Sequence, residues 1–226
     1  MLYNSKTGNL DTSNFEFFCE GSCARIYKDN NIILKVYKID SPYSASISKN
    51  TFNKLKSLKI NHIVKLYNQY YKIQSSLVEL LKCEAYTMDY VPDPKLTIIN
   101  YPTEFLLELA HEMEAVNTNL TKHRIIAGDG HKGNIIFNEN GLTIIDVDTY
   151  REAKLLPSNL IRMHNRKELL SYLRSKLYDE CINNDINTLG AYNAFLAISS
   201  SNKPLPDAFN EIFQEETPAK TLKKIK

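Results

Sequence analysis

The chain has 226 residues, 43% of them hydrophobic and 24% charged, with 28 Lys and Arg against 26 Asp and Glu. A net charge of +2 argues against a nucleic-acid-binding field and against an acidic tail, and the hydrophobic share is that of a globular protein able to bury one core or two small lobes. No apolar run approaches a membrane span, residues 1–15 carry no apolar core of signal-peptide length, and the expected location is cytoplasmic, with no membrane partner. Cys19, Cys23, Cys83 and Cys181 form no C-x-x-C pair, so reduced thiols are expected.

In chain order, residues 1–13 are polar and are expected to be poorly anchored. The pattern then turns to strand over 15–19, 24–28 and 32–37. The first two are linked by Glu20-Gly21-Ser22-Cys23 and the second two by Asp29-Asn30-Asn31. A short Gly-containing hairpin loop of small residues can bring backbone N–H groups close to phosphate oxygens. Lys35 lies in an otherwise apolar run, Ile33-Leu34-Lys35-Val36. Phe52, Leu55 and Leu58 recur at three-residue spacing within 47–58, which predicts a helix. Residues 61–67 read as a turn and a strand, and 85–91 as a strand running into Pro92-Asp93-Pro94. After Pro102 the period changes, and Phe105, Leu109, Met113 and Val116 make a helical stripe. Leu169, Leu170, Leu173 and Leu177 predict an amphipathic helix over 168–181. The basic cluster Arg162, His164, Arg166 and Lys167 reads as a solvated face, the alternative being a surface for an acidic or phosphorylated partner.

The stretch 125–150, IIAGDGHKGNIIFNENGLTIIDVDTY, holds the most chemistry. Ile135-Ile136-Phe137 and 142–145 are short β-branched and apolar runs around a turn ending in Asn140-Gly141, a dipeptide that favours positive φ. Such a hairpin brings Asn134, before its first strand, near Asp146, after its second. Asp129 sits in a loop too rich in glycine (Gly128, Gly130, Gly133) for helix or strand. Two carboxylates and an amide oxygen gathered at one sheet edge are hard ligands suited to Mg²⁺.

The spacing Asp129-x-x-x-x-Asn134, two strands, then Asp146 resembles the catalytic loop and metal-binding Asp of the protein-kinase-like superfamily. The local spelling Gly-Asp-Gly-His-Lys-Gly-Asn is nearest the form found in aminoglycoside and choline kinases. The resemblance spans roughly residues 15–195. It implies an α+β, two-lobed protein-kinase-like fold with a small β-rich N-lobe (1–91) and a minimal helical C-lobe (92–226), together one kinase-like domain. It also implies ATP and Mg²⁺ as cofactors. Asp129 would accept or orient the proton of the acceptor hydroxyl, and Asn134 and Asp146 would hold the metal. Lys35 would place a fixed charge on the α- and β-phosphates, with Gly21, Ser22 and Cys23 as a reduced Gly-rich loop. Met88 would be the gatekeeper, and backbone groups of Asp89 and Val91 would meet the adenine edge.

The sequence departs from the superfamily at several positions. Ala127 stands at the histidine of H-R-D, D-F-G reads Asp146-Val147-Asp148, and no A-P-E motif follows. The helix at 47–58 should supply a Glu to pair with Lys35, yet no acid occurs between Asp40 and Glu79; Asn53 lies nearest the expected place. Asp148 would either add a metal contact or merely replace a glycine. Asn184-Asp185-Ile186-Asn187-Thr188-Leu189-Gly190 resembles the start of helix αF, with Asp185 bracing the catalytic loop. The αF-like phrase and the 39-residue gap from Asp146 to Asp185 favour a Ser/Thr protein substrate, and the main expectation is a Ser/Thr protein kinase with two alternatives beside it. The GDGHKGN spelling and the missing A-P-E favour a small-molecule acceptor. The missing Glu and the eroded Gly loop favour a catalytically weak scaffold.

Overall fold

The computed structural model describes residues 2–4, 8–38, 46–72, 83–93, 103–138, 141–183, 203–204 and 207–208. The chain divides into two compact units, Met1–Pro92 with Asp146–Arg151, and Asp93–Ile145 with Glu152–Lys226.

The first unit is a seven-stranded antiparallel sheet. Its strands are β1 (Leu2–Asn4), β2 (Gly8–Asn9), β3 (Glu16–Glu20), β4 (Ala24–Asp29), β5 (Ile32–Tyr37), β6 (Leu66–Lys72) and β7 (Cys83–Asp89), in spatial order β2-β1-β6-β7-β5-β4-β3. The five strands β3-β4-β5-β7-β6 form the sheet that the kinase resemblance implies, and the architecture is kinase-like. Asn30 turns β4 into β5 at a φ of 50°, with its amide donating to Asp29 Oδ1 at 2.8 Å; asparagine tolerates this left-handed region better than most residues. Period-two alternation puts Ile33, Lys35 and Tyr37 on one face of β5 and Leu34 and Val36 on the other. Leu34 is buried with Tyr70 and Ala85, and Leu10, Phe15, Tyr27 and Val36 pack against them. At the opposite edge from β2, all five residues of β3 are exposed, and a register shift interrupts its pairing with β4 between Phe17 and Cys19.

Helix α1 (Lys49–Leu58) begins at Ser48, whose Oγ accepts the Thr51 N–H at 3.2 Å, and ends at Lys59 in the left-handed region. It buries Thr51, Phe52 and Leu55, which is the stripe the three-residue spacing predicts. Residues 1–13 depart from expectation. Tyr3 pairs with Tyr71 and Leu2 with Lys72 across β1 and β6, and β2 pairs back on β1. Main-chain hydrogen bonding along the β6 edge anchors this polar segment, and side-chain hydrophobicity does not report it.

In the second unit, α2 (Thr103–Lys122) buries Leu109, Ala110, Met113, Val116 and Leu120. Next come β8 (Ile125–Ile126), a 3-10 turn at Lys132–Asn134, and the predicted hairpin of β9 (Ile135–Asn138) and β10 (Gly141–Ile144). Gly141 has φ +97°, and the Glu112 carboxylate occupies the space a Cβ would need. Glu112 is held there because it accepts the Leu142 N–H at 2.8 Å. Beyond the short strand β11 (Arg151–Glu152), α3 runs from Ser158 to Asn183, starting well before the predicted 168. Leu160 and Met163 in its first turns are exposed while Ile161 is buried, so the early turns carry no readable apolar stripe. No helix of the described residues is long and apolar enough to cross a membrane. Cys19 and Cys23 are not joined in a disulfide.

Candidate active site

The first unit gathers charge around Lys35. Its register neighbours are Ile26 on β4 and Tyr86 on β7, so the lysine stands at the centre of the sheet and is only 7% exposed. Its Nζ lies 2.6 Å from Asp146 Oδ2 and 2.7 Å from Asp148 Oδ2, and 5.9 Å from the centre of the Tyr86 ring. Burial alone would lower the lysine pKa. The charges of Asp148 and then Asp146 outweigh it and raise the pKa above the ordinary value.

The two aspartates differ. Asp148 is the buried one: Oδ1 accepts from Tyr37 Oη at 2.7 Å and from Tyr86 Oη at 2.9 Å, while Oδ2 takes Lys35. Burial pushes its carboxyl above the usual range, against the pull of Lys35. Asp146 keeps 24% of its side chain exposed; its Oδ1 accepts the Asp148 N–H at 3.0 Å and its Oδ2 takes Lys35. One cation shared by two carboxylates is fully compensated, and the more buried acid carries the desolvation cost. The same burial, with Asp148 close by, pushes the Tyr86 phenol far above its ordinary pKa. Asn53, nearest the place expected for the missing Glu, is exposed and is no partner for a buried lysine. Sequence reading missed Asp148 in this role because its partners are remote in the chain.

In the second unit the loop between β8 and β9 is tightly wound. Asp129 adopts a φ of 56°, and its carbonyl accepts from the His131 N–H at 2.9 Å. The Asn134 amide nitrogen donates to both the Asp129 carbonyl and Asp129 Oδ2, each at 3.0 Å. The spacing from Asp129 to Asn134 thus brings the two side chains together, as the loop reading requires. The Asn134 carbonyl accepts the Ile145 N–H at 3.0 Å, and Asp146 is the next residue in the chain. His131 Nδ1 accepts from the Gly133 N–H, which places a neutral imidazole's proton on Nε2. Nε2 lies 3.5 Å from Asp129 Oδ2. Nothing in the sequence marked His131 beyond its place in the GDGHKGN phrase.

Helix α3 clamps this loop from behind. Asn165, fully buried, accepts from the Ala127 N–H at 2.8 Å and donates to the Ile125 carbonyl at 3.0 Å. His164 Nε2 contacts the Ala127 carbonyl at 2.8 Å, Glu168 accepts the Gly130 N–H at 3.1 Å, and Tyr172 donates to the Gly128 carbonyl at 3.3 Å. A Cβ on Gly130 would overlap the Glu168 backbone carbonyl, so the loop can lie this close to the helix only with glycine there. The basic cluster is therefore not one solvated face. His164 and Arg166 are turned inward, Arg162 pairs with Glu114, and Lys167 is exposed. Burial lowers the Arg166 pKa, with Glu114 opposing. Asp185, expected to brace the loop, lies outside the described residues.

The remaining predicted site residues sit on the sheet. Met88 is buried opposite Ile33 and Leu66. The Asp89 N–H donates to the Lys65 carbonyl at 3.0 Å and the Tyr90 N–H to the Asn31 carbonyl at 2.8 Å. At the β3–β4 turn, the Gly21 N–H donates to the Ala24 carbonyl at 2.9 Å, and Ser22 Oγ lies 3.4 Å from Cys23 Sγ. The Gly21 amide closes the hairpin, which leaves Ser22 and Cys23 to form the tip of the turn. Among the described residues no group of three or more His, Cys, Asp or Glu could hold a metal ion.

A model of the family described as lipopolysaccharide core biosynthesis protein (WaaY) matches residues 35–193, a stretch that opens at Lys35 and contains Asp129, Asn134, Asp146 and Asp148. The chain belongs to the WaaY family. No curated protein matches. Among solved structures the WaaY-family chain is similar to the PK-1 kinase of the Cydia pomonella granulovirus, at 17% identity and a TM-score of 0.44, over 62% of this chain and 53% of that one. The match thus spans about half of the viral kinase.

Proposed function

We propose that this chain transfers the γ-phosphoryl group of ATP to a hydroxyl of a carbohydrate-containing small molecule of the lipopolysaccharide-core class, with Mg²⁺. The observation that carries this reading is the WaaY family match over 35–193. It coincides with the residues that the kinase template needs for handling phosphate. The family description favours this small-molecule acceptor over the Ser/Thr side chain that the αF-like phrase suggested.

Each donor, taken by itself, has the chemistry that a magnesium–nucleotide complex calls for. Asn134 uses its amide nitrogen on Asp129, which reserves carbonyl Oδ1 for a cation. Asp146 has one hydrogen bond or ion pair on each oxygen and is partly exposed; a carboxylate has further lone pairs to give. Mg²⁺ is commonly held by one or two such protein ligands plus substrate phosphates, so the lack of a larger acidic cluster among the described residues is no obstacle. When bound, the metal would neutralise charge on the phosphates. Lys35 would add a fixed positive charge beside them, and Asp129 would orient the acceptor hydroxyl and take its proton. His131, with Nε2 near Asp129, supports that orientation. An adenine edge would meet the Asp89 carbonyl and the Val91 amide beside Met88. The Ser22–Cys23 tip, rather than the engaged Gly21 amide, would face the phosphates.

The test is transfer of labelled γ-phosphate in Mg²⁺ to delipidated lipopolysaccharide core oligosaccharide, or to a fractionated cell extract. Label on a carbohydrate solute is expected with wild type, with a loss of about 10² to 10⁴-fold in Asp129→Asn and none detectable in Asp146→Asn. Label on protein alone, lost in Asp146→Asn, would instead establish the Ser/Thr reading.

A further inference from the structure

Lys35 is the group that kinase chemistry needs to hold still, and the acid expected to hold it is missing from α1. We propose that Asp148 does this work: it is the positioning residue for Lys35, substituting from the segment after β10 for the absent helix glutamate, and it is not a metal ligand. The proposal rests on the phosphotransfer reading above and deepens it.

Three observations lead there. Asp148 Oδ2 lies 2.7 Å from Lys35 Nζ, and both side chains are more than nine-tenths buried. Asp148 Oδ1 is fixed by two tyrosine hydroxyls, Tyr37 on the same strand face as Lys35 and Tyr86 in register with it. The Tyr86 ring is itself braced by Phe52 of α1, at 5.7 Å between centroids. Helix α1 thus stabilises the lysine site through an aromatic ring instead of a carboxylate. Asp148 Oδ1 already takes two protein donors and Oδ2 takes Lys35, all in a setting more than nine-tenths buried, so a metal there would have to crowd or displace a buried bond. Asp146 is the opposite case, partly exposed and held by fewer protein donors.

This division of labour matters because Lys35 touches both acids. With Asp148 in place, Lys35 stays compensated when Asp146 turns its charge to a metal. Without Asp148, the lysine and the metal compete for one carboxylate. A positioning residue of this kind typically affects metal affinity by about 10 to 100-fold when lost.

The experiment is calorimetric binding of ATP in Mg²⁺ and in EDTA, on the full chain, for wild type, Asp146→Asn, Asp148→Asn, Lys35→Met and the Lys35→Met/Asp148→Asn pair. Asp146→Asn is expected to erase the gain in affinity that Mg²⁺ brings. Asp148→Asn is expected to weaken Mg·ATP about tenfold and leave ATP in EDTA unweakened. In the Lys35→Met background the same change should cost nothing further. An equal loss with and without Lys35 would make Asp148 a metal ligand and overturn the proposal, as would wild-type affinity in Asp148→Asn. If Asp148→Asn does not fold, Tyr37→Phe is the second variant. It should give a smaller loss, again confined to chains that keep Lys35, and a loss independent of Lys35 overturns the proposal. Wild type that fails to bind ATP would sink the functional reading instead. Unfolding midpoints then decide the pairing: Asp148→Asn should destabilise the chain with Lys35 and stabilise the Lys35→Met chain, and additive costs overturn it.

Discussion

Lys35 shows how far a single residue could be read ahead of the structure. A lysine flanked by Ile33, Leu34 and Val36 had to be either a strand-edge surface residue or a buried charge with a purpose, and it proved buried. Its partners were not legible, because Asp146 and Asp148 lie 111 and 113 positions away, and proximity of that kind comes from chain topology rather than spacing. Breaking a buried pair leaves an uncompensated charge, so Lys35→Met is expected to cost about 3 kcal/mol, read from the shift in urea midpoint. The pH dependence follows from the directions of the shifts. The Lys35 pKa is raised, so its contribution is fully present below the ordinary lysine value of about 10.4 and is lost as pH rises through the higher folded value. Asp148 is also raised, which makes its ionised form the one that folding disfavours. Its contribution is present below about 3.9 and declines as pH rises through the folded pKa, so it adds nothing to acid unfolding. Urea midpoints between pH 8 and pH 11.5 should therefore fall more steeply for wild type than for Lys35→Met.

At the scale of elements, strands and turns were easier to foresee than helices. The β4–β5 turn, the β9–β10 hairpin and the buried face of α1 each followed from local chemistry: Asn30, Gly141 and the Phe52–Leu55 spacing. Helix α3 was half missed because its first turns expose Leu160 and Met163. Those same turns carry His164 and Asn165, which support the loop that holds Asp129. Polar side chains bonded to a neighbouring backbone give no periodic signal, so His164 read as solvated and Asn165 was passed over. Asn165→Ala would leave the buried Ala127 N–H and Ile125 carbonyl unpartnered. The expected cost is about 2 to 4 kcal/mol, from roughly 1–3 kcal/mol for each unsatisfied group with partial relaxation, measured by denaturant unfolding. Gly130→Ala should disturb the loop more selectively. The added methyl meets the Glu168 backbone, and backbone cannot rotate away. Phosphoryl transfer should fall at least tenfold while the far-ultraviolet dichroism stays that of wild type.

For the molecule as a whole, composition and charge bounded the class but carried no chemistry. The kinase-like fold was read from one ordered set of motifs, the short Gly loop, the strand lysine, Asp129 to Asn134, and Asp146, while the WaaY family was not legible in them. Acceptor identity was not legible, because it depends on surfaces that recognise a substrate and leave no fixed spacing in the sequence. Ligand binding offers a check that needs no acceptor. Mg·ATP at a hundred times its Kd should stabilise the chain by about 2.7 kcal/mol. For a chain of this size that raises Tm by roughly 5–10 °C, and Asp146→Asn should remove most of the shift.

Strand β3 has a consequence for handling the protein in solution. It closes the sheet on one side, with Phe17 and Phe18 at least half exposed, and an open strand edge bearing aromatic side chains invites a second molecule to dock. Two features work against that. The register shift between Phe17 and Cys19 twists the strand out of flat pairing geometry, and Glu16 and Glu20 place negative charge near each end. Glu20 is further ringed by Arg25 and Lys38. The strand thus carries its own defence against edge-to-edge stacking. Replacing both glutamates by valine should shift the light-scattering mass upward with protein concentration, and should do so more strongly at high salt, where the remaining charges are screened and no longer repel.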